Sequence, residues 1–412
     1  MSGRRLAAWC AMLSAASLAG CGQPAECASP DYRRAECRIL AEREFSRLRT
    51  STGLEVRMQE PGAASAEHWA VTGLIRERGG QIAIRVATLG PFSVSLHNPD
   101  DGGEDIEARL ELTNVHPAVE LELADTPIDH VATGTRRSLA LTIAEGDTVF
   151  VHGTLACDRP VRLLALADVQ TNPTQFERII AHIHEHELAD AEQAGHLLAG
   201  AVFAGDLTES STEDEFRIFA DLLEPIPIPF SLTPGNHDVY ASHLPFYNQN
   251  FGPGNYEFDV CDVHVAMLDT GSGSIAPSLV GRLHALFSGA EDREHSIAVM
   301  HHPPYAALTG DGWGSEDLAM ITLGEFAHQE GDLVIAGHSH MLQEFRDISV
   351  AGARLVELIV GTGGADQGAG SPVYGYLRLT FEGSEPSYCF VEVPPPGAES
   401  RDRLPLNFPQ CP

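Results

Sequence analysis

A series of carboxylates, carboxamides and imidazoles is spaced along the second half of the chain, each at the end of an apolar run. The run VRLLALAD ends in Asp168, with Gln170 two residues on. LLAGAVFAGD ends in Asp206, and IPIPFSLTPGNHD ends in Asn236, His237 and Asp238. HSIAVMHHPPY carries His301 and His302, and LVIAGHSH carries His338 and His340. Taken singly, each has an ordinary explanation. Asp168 caps the next segment, Asp206 opens a turn, Asn236 takes a left-handed turn position after Gly235, and the histidines lie exposed. Their recurrence at successive strand ends points instead to a metal site. Hard oxygen donors combined with several imidazoles suit a first-row divalent or trivalent ion such as Mn, Fe or Zn. The donors are too many for one tetrahedral zinc, and their count fits two metals sharing one carboxylate. In GHSH the two histidines point to the same side of an extended segment, and Gly337 permits a tight turn beside them.

These residues need elements that bring them together. VRLLALAD and LLAGAVFAGD are near-continuous apolar runs, as in strands covered on both faces. Between them lies a helix that Asn172 caps and Pro173 opens, with Phe176, Ile179, Ile180 and Ile183 on one face. After the second run, Ser211, Thr212, Asp214 and Glu215 signal another helix start, followed by the stripe Phe216, Phe219, Leu222 and Leu223. Strand–helix alternation means an α/β sheet, and ligands of open α/β sheets gather outside the carboxyl ends of the strands. The preceding region reads differently. LEVRMQ (54–59), HWAVTGLI (68–75), QIAIRVAT (81–88), ARLELTN (108–114), AVELEL (118–123), RSLALTI (137–143) and DTVFVHGTL (147–155) are short and alternating. RGG, NPDDGGED and AEGD separate some of them as turn clusters. This spacing predicts an all-β sandwich. No catalytic constellation falls there, and His68, His97, His116, His130 and His152 are surface or packing residues.

Length and composition bound the rest. The 412 residues suffice for two or three domains, and 43% hydrophobic with 20% charged residues is a globular composition. The formal charge of −32 repels polyanions, which argues against nucleic acid as a partner. The opening MSGRRLAAWCAMLSAASLAGC has a charged start, an apolar middle and small residues before Cys21, as in a secretory signal. Its LAGC ending looks like a bacterial lipobox, which predicts a membrane anchor through lipidated Cys21 and an outer-membrane lipoprotein facing the periplasm or the cell surface. The expected organisation is a signal peptide at 1–20, a lipidated tether at 21–52 with one short helix, a β-sandwich domain at 53–158, the α/β domain at 159–393 and a tail at 394–412. Setting aside Cys10 and Cys21 leaves six cysteines, which in an exported chain favour disulfides. Cys27–Cys37 and Cys389–Cys411 are the local pairings expected.

The blocks Asp168-Val169-Gln170, Gly205-Asp206, Gly235-Asn236-His237-Asp238, His301 and Gly337-His338-Ser339-His340 occur in this order. In that order the chain resembles the calcineurin-like metallophosphoesterases, over roughly Pro160 to Tyr388. The β-domain in front, with YEFD, HHPPY and VGTGGA, looks most like the purple acid phosphatase branch. The resemblance implies a four-layer αββα metallophosphoesterase sandwich. It implies one metal held by Asp168, Gln170, Asp206 and His340, and a second by Asp206, Asn236, His301 and His338, with Asp206 bridging. It aligns His301 rather than His302 with the ligand. The implied activity is hydrolysis of phosphate monoesters or diesters, with phosphorylated small molecules as substrates, through a metal-bridged hydroxide. His237 would protonate the leaving alkoxide, its ring oriented by Glu209 or Asp238.

Two positions depart from the family. Gln170 stands where the family often has His, and an amide oxygen binds a cation more weakly than imidazole. Glu209 stands where purple acid phosphatases place a metal-bound Tyr, so the purple colour is expected to be absent. Glu209-Ser210 also lacks the phosphate-clamping Arg of the serine/threonine phosphatase branch. The competing reading is a catalytically decayed metal- or phosphate-binding surface lipoprotein, for which Gln170 is the single supporting feature. His182, His184 and His186 are read as a solvated helix face, and GTGGADQGAG (361–370) as a rim loop near the metals.

Overall fold

The computed structural model describes residues 30–59, 72–100, 103–289, 293–305, 312–350, 352–367, 373–397 and 408–411. The expected signal peptide and Cys21 lie outside them.

Two sheets form the N-terminal part, the first wholly antiparallel and the second with one parallel pair. One is ordered Arg47–Arg49, Glu55–Gln59, Phe92–His97, Thr148–Thr154, Glu120–Leu123 and Thr126–Pro127. The other is ordered Gly73–Arg78, Gln81–Val86, Ile106–Thr113, Arg136–Ile143 and Val131–Thr133. Alternation drives the packing. Val56, Met58, Val94, Leu96 and Val151 of the first sheet share one core with Ile82, Ile84, Leu110, Leu112 and Ile143 of the second. The strand Phe92–His97 was not anticipated; it places Phe92, Val94 and Leu96 in that core.

Two further sheets follow. The first is ordered Phe230–Thr233, Leu197–Ala204, Val161–Leu166, Gly375–Phe381 and Ser387–Glu392, its first three strands parallel. The second is ordered Tyr256–Val260, Val263–Leu268, His295–Met300, Leu333–Ala336, Ala353–Val360 and Leu342–Val350, with four parallel strands in the middle. Side-chain alternation makes the layers. Leu164 and Leu166 pack outward with Phe176 and Ile179 of the helix Pro173–His182 and Phe216 and Phe219 of Glu213–Leu223. Leu163, Ala165 and Ala167 face inward with Val265, Met267, Ile297 and Val299. On the far side, Ala298 and Met300 meet Leu323 and Phe326 of the helix Glu316–His328. The result is helix, sheet, sheet, helix, the expected αββα order behind a β-rich N-terminal region. Each fully buried Leu, Ile, Val or Phe in these layers stabilises the fold by about 1.5–3 kcal/mol.

The helix starts follow their caps. Asn172 accepts the Gln175 N–H at 3.1 Å, and Thr212 and Glu215 close a capping box. The first helix widens into a π-turn at Ile183–Glu187, which leaves His184 and His186 exposed and turns Glu187 inward. Tyr376 and Arg378 donate to that buried carboxylate.

The tether expected to reach residue 52 does not hold for its described part. The helix Ala35–Phe45 is packed into the fold, with Ala35 and Ile39 in the core under the second sheet. Its Arg38 donates to both oxygens of Asp269 at 2.6 and 2.7 Å, and Glu42 Oε1 accepts the N–H groups of Gly254 and Asn255. A charged helix stays down because its charges have buried partners. The Cys389–Cys411 disulfide forms as expected. A second one, Cys157–Cys261, ties the end of the β-sandwich to the turn before Val263–Leu268. Cys37 is disulfide-bonded, and its expected partner Cys27 lies outside the described residues. The two parts of the chain also meet through Arg85, which donates to the carbonyl oxygens of Phe230 and Phe251, and through Asn114, which exchanges two hydrogen bonds with Phe230. Among the described residues no helix is long and apolar enough to cross a membrane.

Candidate metal centre

Five parallel strands from the two facing sheets end at one crevice. Asp168 and Gln170 follow Val161–Leu166, Asp206 follows Leu197–Ala204, and Asn236 and His237 follow Phe230–Thr233. His301 follows His295–Met300 in the opposite sheet, and His338 and His340 follow Leu333–Ala336. Hydrogen bonds stitch the two sheets together at this point. The Asp168 carboxylate accepts the His338 N–H at 2.8 Å, and His301 Nδ1 lies 2.8 Å from the Ala204 carbonyl oxygen. Asn236 is not left-handed, so the ordinary turn explanation does not apply to it. Asp168, Asp206, His338 and His340 all have positive φ, between 45° and 69°. Strain of this kind in non-glycine residues persists where surrounding contacts enforce it, and it clusters at functional sites.

The ligand-bearing atoms form two groups. Asp168, Asp206 and His340 offer atoms within 4.8 Å of one another, and so do His301, His302 and His338. Asp206 joins the groups, because its Oδ2 lies 3.3 Å from His301 Nε2. Asn236 Oδ1 is 3.0 Å from the same nitrogen. Gln170 Nε2 is 3.0 Å from Asp206 Oδ2 and 2.9 Å from His340 Nε2. All seven expected ligands therefore meet, and His302, which the resemblance leaves out of the ligand set, joins them.

Three rings are held alike. His301 Nδ1 faces the Ala204 carbonyl, His340 Nδ1 faces the Asp366 carbonyl at 2.8 Å, and His237 Nδ1 faces the Glu209 carbonyl at 2.9 Å. Each Nδ1–H donates to main chain, which leaves Nε2 as the working nitrogen. This corrects the expected support of His237. The Glu209 carboxylate is 3.8 Å from His237 Nδ1, beyond hydrogen-bonding distance, and the Glu209 backbone oxygen orients the ring instead. Asp238 does not face His237 either. It is buried and accepts the N–H groups of Gly235, Leu207 and Thr208, which ties the loop after Asp206 to the loop after Gly235.

Burial and charge work against each other here. Burial pushes Asp168 up to about 6, with the Asp206 charge adding to it against the pull of His301 and His340. Burial also pushes Asp206 up, but His301 and His237 outweigh it and the net shift is downward. Burial disfavours the His301 cation, yet Asp206 and Asp168 raise it to about 9. Burial, with His301 and His338 alongside, lowers His302 to about 2. Burial and then Asp206 raise Asp238 to about 7.

The residues fit metal ions. The donors are carboxylate, carboxamide and imidazole, the set first-row metals prefer. Gln170 Oε1 and His302 Nδ1 are buried with no hydrogen-bond partner, an arrangement proteins ordinarily avoid. Glycines keep the carboxylates approachable. A Cβ on Gly235 would lie 2.1 Å from Asp206 Oδ1, and one on Gly337 2.5 Å from Asp168 Oδ2. The loop after residue 361 forms part of the rim, as expected, through the Asp366 carbonyl. Thr270 stands outside the expected set, yet its hydroxyl oxygen accepts the N–H groups of both His301 and His302. It follows the Val263–Leu268 strand in a sixth polar strand end, LDT, and that was the available signal.

The family match over the second half of the chain agrees with this geometry. The family model for calcineurin-like phosphoesterase matches residues 161–342. No curated protein matches the chain. Among solved structures, the purple acid phosphatase PPD1 from yellow lupin (Lupinus luteus) is 13% identical with a TM-score of 0.46, over 74% of this chain and 70% of that one. PhoD is 11% identical with a TM-score of 0.43, over 74% and 89%. GAP50, the anchor in the inner membrane complex of Plasmodium, is 16% identical with a TM-score of 0.43, over 57% and 85%. With its strand-end donors, its four layers and the match over residues 161–342, this chain carries a calcineurin-like phosphoesterase domain.

Proposed function

We propose that the protein is a hydrolase of phosphate monoesters or diesters that works with two metal ions in the crevice, drawn from Mn, Fe and Zn. The observation that carries this reading is Asp206 standing between two donor groups, Asp168/His340 on one side and His301/His302/His338 on the other. Asp168, Gln170, Asp206 and His340 would hold one ion, and Asp206, Asn236, His301 and His338 the other. Ions bound there would supply water activation and charge neutralisation at the phosphoryl group. The chain's own residues supply positioning and a proton. His237 keeps Nδ1–H on the Glu209 carbonyl, so its Nε2 is the atom that delivers a proton to the leaving oxygen. Tyr240 sets its ring edge-on to His237 at 5.1 Å and donates its hydroxyl to the same carbonyl, which narrows the ring's freedom. Asp206 accepts the His237 N–H at 2.8 Å and so fixes the proton donor relative to the metal ligands.

The N-terminal LAGC and the disulfides support export, with attachment through Cys21 to the outer membrane as part of the same proposal. The test is metal analysis of the purified protein together with turnover of p-nitrophenyl phosphate and bis-p-nitrophenyl phosphate. Bound metal and turnover of either ester are expected. Absence of both, with Mn²⁺ and Zn²⁺ supplied, would leave the non-catalytic binding protein as the better reading.

A further inference from the structure

We propose that His302 is a fifth protein ligand of the second metal position, and that the two positions consequently differ in metal preference. The proposal rests on the two-metal reading above. Three observations carry it. First, the ligand nitrogens of His301, His302 and His338 lie within 4.8 Å of one another. The His302 and His338 rings are 4.1 Å apart at 36°, and His301 and His302 are 4.9 Å apart at 86°. Second, His302 is 5% exposed and its Nδ1 is buried without a hydrogen-bond partner. A buried ring nitrogen left so is costly, and a cation among the three rings is the partner the surroundings offer. Third, the main chain of His302 is held on both sides. Its N–H donates to Thr270 Oγ1 at 2.9 Å, and its carbonyl accepts the Trp313 indole N–H at 2.8 Å. A ring carried on so fixed a backbone is positioned in advance, as a ligand should be.

The consequence is an uneven centre. With Gln170 in place of an imidazole, the first position has oxygen from Asp168, Gln170 and Asp206 and nitrogen from His340 alone. The second position has oxygen from Asp206 and Asn236 and nitrogen from His301, His302 and His338. Imidazole-rich sites favour Zn²⁺ and Fe²⁺, whereas oxygen-rich sites suit Mn²⁺ and Mg²⁺. The second position therefore holds Zn²⁺ firmly, and the first takes Mn²⁺ and exchanges it.

The experiment uses the full chain stripped of metal with a chelator and reloaded with one equivalent of Zn²⁺. X-ray absorption at the zinc edge counts the bound imidazoles. Three are expected in the wild type and two in His302→Gln. Competition with a chromophoric chelator should show the first equivalent bound about 10–100-fold more weakly in the variant. Two or fewer imidazoles in the wild type would overturn the proposal and leave the metal centre standing, as would unchanged affinity in a His302→Gln protein whose circular dichroism and melting match wild type. Failure of the wild type to bind zinc at all would overturn this proposal and the two-metal reading together. Should His302→Gln not fold, the wild-type imidazole count alone decides.

Discussion

The side-chain nitrogen of Gln170 lies 2.9 Å from Nε2 of His340, while the Gln170 carbonyl oxygen is buried without a partner. The amide thus presents its donor to the groups that would hold the first ion and keeps its acceptor out of use. A cation beside Asp168, Asp206 and His340 reverses that preference, because only the oxygen can ligate. Gln170→His replaces the amide with a stronger donor. It should tighten binding of the more weakly held metal by about tenfold, read as a lower Mn²⁺ concentration for half-maximal turnover. An unchanged requirement would show that Gln170 lies outside the coordination sphere.

His237→Ala should lower kcat on p-nitrophenyl phosphate by about 10²–10⁴-fold without altering metal content. Glu209→Gln should stay within about threefold of wild type, because the ring is oriented by the Glu209 carbonyl oxygen and not by its carboxylate. His184→Ala, on the exposed π-turn, should leave turnover alone. Equal losses in all three variants would remove His237 from the proton-transfer role.

Metal uptake should release protons. His301 is pushed up to about 9 and Asp168 up to about 6, so near neutral pH the imidazole is held largely as its cation and must lose that proton to ligate. Apparent affinity should therefore rise with pH through the range below 9, most steeply where both groups still carry protons. Titration calorimetry in buffers of different ionisation enthalpy reads the proton count directly. Binding without proton release would place the metals away from His301.

Gly235→Ala should damage the centre more than its size suggests. Its Cβ would fall 2.1 Å from Asp206 Oδ1 and 2.5 Å from the Asp206 nitrogen, both held by the surrounding backbone. We expect about 1–3 kcal/mol of destabilisation in a urea melt, together with loss of metal. A variant that keeps full metal content would mean that the loop relaxes freely.

The Arg38–Asp269 pair, each side chain 1% exposed, holds the N-terminal helix to the residue before Thr270. Arg38→Met leaves Asp269 buried without its guanidinium and should cost about 3–5 kcal/mol of stability. Denaturant unfolding followed by far-ultraviolet circular dichroism reads the change. A loss below about 1 kcal/mol would identify the helix as a loosely attached tether after all.

Much of this protein was legible in its sequence. Asp168, Asp206, Asn236, His301, His338 and His340 stood at the ends of apolar runs, and those runs are strands. The helix starts at Asn172 and Thr212 were legible in the same way, since a cap and an apolar stripe are local features. What the tertiary structure decided involves partners far apart along the chain. It placed the Asp168 carboxylate on the His338 N–H, across two sheets. It turned Asp238 into the loops rather than toward His237 and brought His302 beside His338. It docked Arg38 on Asp269 and joined Cys157 to Cys261. Periodicity along a strand reports which face is buried, but the choice of neighbour depends on how the sheets stack, and that is settled by the packing of the whole core.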